Sequence, residues 1–360
     1  MRTSNSPLLD IIERKGTRLV IPAYQRAYSW KRQQCEELWL DILRAARANA
    51  RHFTGTLLYT PEADETSGVK RIAIIDGQQR ITSVSLIIAA LARYLAENAR
   101  NVDGMSSDEL RKRFLLLGED DVIPSKLVPS RHDRAPYFVI ARTSAAPLDA
   151  PENLRSNLAF FTDQMAQPGF DADALWRGLR NLTVIAAEVD NADQAQLIFE
   201  SLNSKGLPLT TADLVRNYLL LAETHEIQTR LYEEYWKPIE GLFVPDPGSL
   251  RLDNAIQGWL SVRFRKVRAH GPGEVYSVFK RYVEDDYTGT TEDLLRELRN
   301  FCLVWAENYH YHAVKKYRSS FSWAVNGAPT LTSGYVKKKA SNKAYAQSLA
   351  KTLDRVDGSL

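Results

Sequence analysis

Ile74-Ile75-Asp76-Gly77-Gln78-Gln79-Arg80-Ile81-Thr82 is the stretch on which the reading of this chain turns. Arg71 to Ile75 is a short apolar run of strand type. After it, Ile81, Val84, Ile88, Leu91 and Leu95 recur at helical spacing. The strand runs out at Asp76, Gly77 permits a sharp turn, and a helix begins at once. The first N–H groups of a helix have no internal partner and carry the positive end of its dipole, so this turn is a ready place for phosphate. Arg80 could add a bidentate contact to phosphate oxygens. Gln78 and Gln79 offer amides to a phosphate, a base edge or an attacking water, and Asp76 could hold a magnesium ion. The plain alternative is that Asp76 caps the helix and Gly77 supplies the turn.

Two further segments carry polar groups in unusual company. Ile21-Pro22-Ala23-Tyr24-Gln25-Arg26-Ala27-Tyr28-Ser29-Trp30 sets Gln25 and Arg26 among the aromatics Tyr24, Tyr28 and Trp30. Stacking surfaces beside an arginine suit a nucleobase and its phosphates, or DNA; the same aromatics could equally close a core. Phe199-Glu200-Ser201-Leu202-Asn203-Ser204-Lys205-Gly206-Leu207-Pro208-Leu209-Thr210 places Asn203 and Lys205 on a turn between helices. There they meet a phosphate, or they are simply a helix end with Gly206 as its left-handed stop.

Around these segments the periodicities predict a strand at Arg18 to Ile21 and a helix from about Lys31 to Ala48 with Ser29 at its cap. A strand at Phe53 to Tyr59 with Gly55 inside it follows. Helices are expected at Asn153 to Met165, Asp173 to Leu179, Ala192 to Leu202 and Thr210 to Ala222, the last with a Thr210/Asp213 capping box. A strand is expected at Leu182 to Val189. Asn101 to Pro151 has no clear pattern, and from about Thr229 onward aromatic-rich helices dominate. The class is α+β, with residues 1–225 forming one domain and 226–360 a mostly helical one with a basic end.

Bulk properties narrow the classes. No apolar run approaches the roughly 20 residues that span a bilayer, and the polar start, Met1 to Asp10, lacks a signal core. Cys35 and Cys302 are far apart and without metal-ligand spacing, so no structural disulfide is expected and a reducing cytoplasm fits. The net charge is +3, but Tyr309 to Leu360 carries nine basic residues against Asp354 and Asp357, which leaves the preceding part at −4. A basic tail on a mildly acidic body attracts nucleic acid, or is merely solvated.

The three quoted segments, in this order, resemble the N-terminal domain of GmrSD-type restriction enzymes and their relatives in phosphorothioation-sensing and related defence systems. That domain looks like the ParB/sulfiredoxin fold. The resemblance covers roughly Leu8 to Leu221 and is carried by Ile21 to Trp30, Phe53 to Thr56, Asp76 to Thr82 and Phe199 to Asp213. It implies that Asp76, Gln78, Gln79 and Arg80 bind and help hydrolyse a nucleoside triphosphate (GTP, UTP, CTP or ATP) with Mg2+ at Asp76. Tyr24, Gln25 and Arg26 would line the pocket, together with Gly55, Gly77 and Thr82, and Asn203 and Lys205 would close it. It also implies a role in controlling DNA sensing or cleavage, with DNA, a nuclease or other defence-system partner, or a second copy of the chain as associates.

The departure from relatives is at the C-terminal side. Many carry an HNH nuclease, whose metal site needs clustered histidines and an asparagine. Here the closest histidine pair, His310 and His312, points to different faces of a helix. Nuclease activity is therefore not expected from this chain alone. The reading from another class is a DNA-binding or protein-interaction module with a degenerate nucleotide pocket.

Overall fold

The computed structural model describes residues 2–62, 68–117, 125–189, 209–221, 223–243, 252–264 and 271–319, with His225 and 309–319 as backbone only. The chain forms two compact units, Met1–Leu202 and Asn203–Leu360. The expected helix at Ala192 to Leu202, the residues Asn203 and Lys205, and nearly all of the basic tail lie outside the described residues.

The first unit is built on one six-stranded mixed sheet. Its strands are β1 (Arg2–Pro7), β2 (Thr17–Val20), β3 (His52–Glu62), β4 (Lys70–Asp76), β5 (Leu127–Val128) and β6 (Leu182–Glu188), in the spatial order β1-β6-β3-β4-β2-β5. β4 pairs antiparallel with β3 and parallel with β2. That interior position explains its unbroken run of buried Ile72, Ala73, Ile74 and Ile75: a strand covered on both faces needs apolar side chains on both. The α+β class read from the sequence holds as a mixed α/β unit followed by helices.

Among the described residues seven helices accompany the sheet: α1 (Leu8–Glu13), α2 (Arg32–Ala48), α3 (Gln78–Glu97), α4 (Ser107–Phe114), α5 (Arg131–Thr143), α6 (Glu152–Met165) and α7 (Ala172–Asn181). α3 is buried almost all round. It packs against α4, α5 and α6, and its Ile81, Val84, Ile88 and Leu91 join Leu57, Ile74 and Val184 of the sheet in one core. Its polar positions are made compatible with burial by bonding back along the helix: Thr82 Oγ1 donates to the Gln78 carbonyl (2.8 Å), Ser83 Oγ to Gln79 (2.9 Å) and Ser85 Oγ to Ile81 (2.9 Å). β5 is placed through Lys126, whose buried ammonium donates to the carbonyls of Ile12, Glu13 and Arg14 at the end of α1.

In the second unit the described elements are all helical: α8 (Thr211–Leu221), α9 (His225–Leu231), α10 (Lys237–Gly241), α11 (Leu252–Arg263), α12 (Pro272–Arg281) and α13 (Thr291–Ser319). Five-residue π turns occur at Tyr232–Trp236 and Tyr282–Asp286. The Thr210/Asp213 capping box forms as expected, with Asp213 N donating to Thr210 Oγ1 (3.1 Å) and Thr210 N to Asp213 Oδ2 (3.3 Å). Trp236, Trp259, Phe279 and Phe301 are fully buried and account for the aromatic richness of this part. Cys35 and Cys302 are both free and buried. Among the described residues no helix is long and apolar enough to cross a membrane.

Candidate functional site

Gly77 holds the turn between β4 and α3 with φ 97° and ψ 2°, a conformation in which a side chain is strained. A Cβ there would also come within 2.9 Å of Leu57 Cδ1 and 3.3 Å of the Thr56 carbonyl, so β3 itself crowds the turn. The helix cap is therefore Gly77 and not Asp76, and no side chain caps α3. The first intrahelical bond runs from Ile81 N to the Gly77 carbonyl (3.1 Å), which leaves the N–H groups of Gln78, Gln79 and Arg80 ahead of it. Asp76 bonds the Gly77 N–H, the residue next to it, so simple capping does not explain the motif.

Arg80 is seated on β3. Its Nη1 donates to the Thr56 carbonyl (3.1 Å), and a Cβ on Gly55 would lie 2.5 Å from its Nη2. Gly55, at φ 116°, falls where the β3–β6 register shifts between Phe53 and Thr56. A strand irregularity with a glycine makes the space that the guanidinium fills. Phe53 to Thr56 and Asp76 to Arg80 are thus brought together, although they are distant in sequence.

Burial raises the Asp76 carboxyl above its ordinary value, against the opposing pull of Arg80, the Gly77 N–H and Arg26. Burial likewise lowers the Arg80 guanidinium, against the opposing pull of Asp76. Desolvation wins at both groups, so neither fully compensates the other. Relative to the unfolded chain, folding disfavours the charged form of Asp76, and that penalty is present above the folded pKa and vanishes as pH falls below the unfolded value. Asp76→Asn, which keeps an acceptor for Gly77 N–H, is expected to raise the thermal midpoint at pH 7. That advantage should shrink toward about pH 4, measured by scanning calorimetry across that range. An unchanged or lowered midpoint at pH 7 would contradict the assignment.

Gln25 and Gln78 meet beside the turn. Gln25 Nε2 donates to the Ile75 carbonyl (3.0 Å), and its Oε1 accepts from Gln78 Nε2 (3.2 Å). Gln78 Oε1 is buried and has no hydrogen-bond partner among the described residues. Gln79 is spent quite differently: its Oε1 accepts from Ser29 N (2.8 Å) and Trp30 N (3.1 Å), and its Nε2 donates to the Ala27 carbonyl (3.3 Å). The two glutamines, indistinguishable in the sequence, therefore have separate roles. Both N–H groups that Gln79 captures precede α2, which starts at Arg32 behind a Lys31 cap boxed with Gln34, so Ser29 is not the cap that the sequence suggested.

The remaining expected residues are placed as follows. Arg26 is within electrostatic range of Asp76. Tyr24 is buried, its hydroxyl pushed up by burial and by Glu62. Tyr28 is buried too, its hydroxyl 2.6 Å from Ser83 Oγ, so these two rings close the core and do not form an open stacking face. Thr82 is buried with its hydroxyl turned back on the helix. Among the described residues no group of three or more His, Cys, Asp or Glu could hold a metal.

Sequence reasoning missed Asp133, Asn153 and Asn157. Asp133 Oδ2 accepts from Tyr28 N (2.6 Å), Asn153 Nδ2 donates to the Tyr28 carbonyl (3.2 Å), and Asn157 Nδ2 donates to the Trp30 carbonyl (2.8 Å) and Tyr28 Oη (3.1 Å). No motif announced them. The only signal was an Asn on the face of α6 that otherwise carries Leu154, Leu158 and Phe161.

Strand, glycine turn and arginine-bearing helix, set in a mixed sheet and followed by a helical unit, define an α/β domain whose polar centre lies at one helix N-terminus. The chain belongs to the GmrSD restriction endonuclease N-terminal domain family, whose model matches residues 8–220. The matched span contains every residue of the centre just described. A role in restriction and phage defence follows from that membership. Comparison with curated proteins gives no match.

Proposed function

We propose that the first unit binds a nucleoside triphosphate at the N-terminus of α3 and hydrolyses it, and that the nucleotide state controls DNA sensing or cleavage in the defence system. The observation that carries this reading is Arg80, held over Gly55 and beside Asp76 at a helix start that no side chain caps. Unpaired N–H groups, a helix dipole and a guanidinium converge there, and all three favour a polyphosphate. The under-compensated charges of Asp76 and Arg80 accord with a third charged component in the working state. A ParB/sulfiredoxin-like ancestry belongs to the same proposal.

The residues fit magnesium in one specific way. Asp76 is a single carboxylate, and Mg2+ is commonly held by one or two carboxylates together with substrate phosphates and water. Asp76 would supply the protein ligand, and the ion would neutralise phosphate charge. Arg26, near Asp76, would face the same phosphates.

Gln78 is the residue for orienting the attacking water. A buried acceptor without a partner costs about 1–3 kcal/mol, so its retention calls for a partner in the loaded state. Gln79 has no such capacity left.

The test is phosphate release from ATP, GTP, CTP and UTP with Mg2+, for wild type, Gln78→Leu and Gln79→Leu. Gln78→Leu is expected to lower kcat by about 100-fold with KM little changed. Gln79→Leu should act on KM and on thermal stability. Turnover of none of the four nucleotides by wild type, or a wild-type kcat in Gln78→Leu, would refute the reading. Absent nucleotide binding together with salt-sensitive DNA binding would instead favour a DNA-binding module.

A further inference from the structure

The segment Ala27 to Trp30 belongs to no helix or strand, yet six of its backbone groups are bound by side chains. The Ala27 carbonyl and the N–H groups of Ser29 and Trp30 are taken by Gln79 of α3. Tyr28 N–H is taken by Asp133 of α5, and the carbonyls of Tyr28 and Trp30 by Asn153 and Asn157 of α6. Asn157 also holds Tyr28 Oη, which meets Ser83 Oγ, which bonds the Gln79 carbonyl, so the network closes on itself. Asn157 is fully buried and Asp133 is 1% exposed.

Irregular backbone is ordinarily satisfied by water and mobile on that account. Here it is fixed by four side chains from three helices, immediately after Gln25 and Arg26. Such an arrangement commits donors and acceptors of α5 and α6 to one irregular segment, beyond the core burial of its Tyr28 and the packing of Trp30. It makes sense if the location of the preceding residues must be set before a ligand arrives.

We propose that Asp133 and Asn157 are positioning residues of the nucleotide site: they lock Ala27 to Trp30 so that Gln25 and Arg26 are pre-placed against the α3 turn. The proposal rests on the nucleotide reading above. It assigns a function to α5 and α6, which touch no phosphate in that reading.

The full chain carries the test, with Asn157→Leu, Asp133→Leu and Asp133→Asn compared with wild type. Two readouts are taken: hydrogen exchange at Tyr28, Ser29 and Trp30 against that of α3, and KM against kcat for the Mg-nucleotide turned over by wild type. Both leucine variants should lose protection at 28–30 by about 10-fold or more while α3 stays protected. Their KM should rise by about 10-fold, with kcat within about 3-fold of wild type, because a misplaced binding residue weakens binding before it alters chemistry. Asp133→Asn keeps an acceptor for Tyr28 N–H and should behave as wild type in both readouts.

A loosened segment with wild-type KM would overturn the proposal while leaving the nucleotide reading intact. Wild-type chain that binds no nucleotide would overturn that reading, and the proposal with it. Should Asn157→Leu unfold the unit, Asn153→Leu, partly exposed and removing one bond, decides the matter. A KM raised about 3-fold supports the proposal, and an unchanged KM refutes it.

Discussion

An Arg80→Ala chain is expected to release phosphate from nucleoside triphosphates at least about 100-fold more slowly than wild type, since an arginine on a transferring phosphoryl group contributes about 10³–10⁵ in rate. The effect should appear in kcat and in nucleotide affinity together, because one guanidinium serves both ground state and transition state. The structure supplies a second route to the same loss. Gly55→Ala leaves Arg80 in the sequence but puts a methyl 2.5 Å from where Nη2 now lies, at a backbone φ of 116° that alanine resists. Arg80 must then shift from its seat on β3, so Gly55→Ala should lower turnover in the same direction as Arg80→Ala. Arg80→Lys should fall between, since a single ammonium cannot both bond the Thr56 carbonyl and offer a planar fork to phosphate. Rapid-quench measurement of a single turnover separates these effects from product release. Equal single-turnover rates in wild type and Arg80→Ala would end the assignment of Arg80 to phosphate.

The strand–turn–helix at the centre was legible because its signals are local. The strand expected at Arg71 to Ile75 is Lys70–Asp76, and the helix marked by Ile81 to Leu95 is Gln78–Glu97. Gly77 needed no tertiary knowledge, whereas the meaning of Gly55 did: only the packing of Arg80 on β3 shows why a glycine stands there. β1 went unread because Arg2–Pro7 is polar and exposed, and its place comes from the backbone ladder to β6 and not from any apolar alternation. α5 went unread because Pro136 lies inside it, a local objection that packing of Tyr137 and Ile140 into the core overrides. The pair Gln78–Gln79 shows the limit most sharply. Adjacent identical residues on a helix differ by about 100° in direction, and the partner each one meets is decided by chain segments roughly 50 positions away. The polar residues of α5 and α6 carried even less local information, since Asp133 and Asn157 owe their roles entirely to where Tyr28 and Trp30 come to rest.

The second unit has its own buried charge, and removing it should cost more than any surface change. Arg216, 6% exposed on α8, donates through Nη2 to Asp213 Oδ1 (2.7 Å) and through Nη1 to Glu240 Oε1 (2.5 Å). Glu240 is held further by Trp236 Nε1 (2.8 Å) and Tyr232 Oη (3.0 Å), so α8, the Tyr232–Trp236 turn and α10 meet in one network. Burial works against the Arg216 charge, but Asp213 and then Glu240 outweigh it and hold its pKa above the ordinary value. Arg216→Met is therefore expected to destabilise this unit by about 3–5 kcal/mol, the usual consequence of orphaning a buried partner. Hydrogen exchange of 211–221 and 232–240 under native conditions measures it without assuming that the two units unfold together. If the cost is the stranded carboxylate and not the lost attraction, then Arg216→Met with Glu240→Gln should recover a substantial part of it, since the neutral amide still accepts from Trp236 Nε1. A double variant as unstable as Arg216→Met alone would show that the lost attraction, and not the stranded carboxylate, sets the cost.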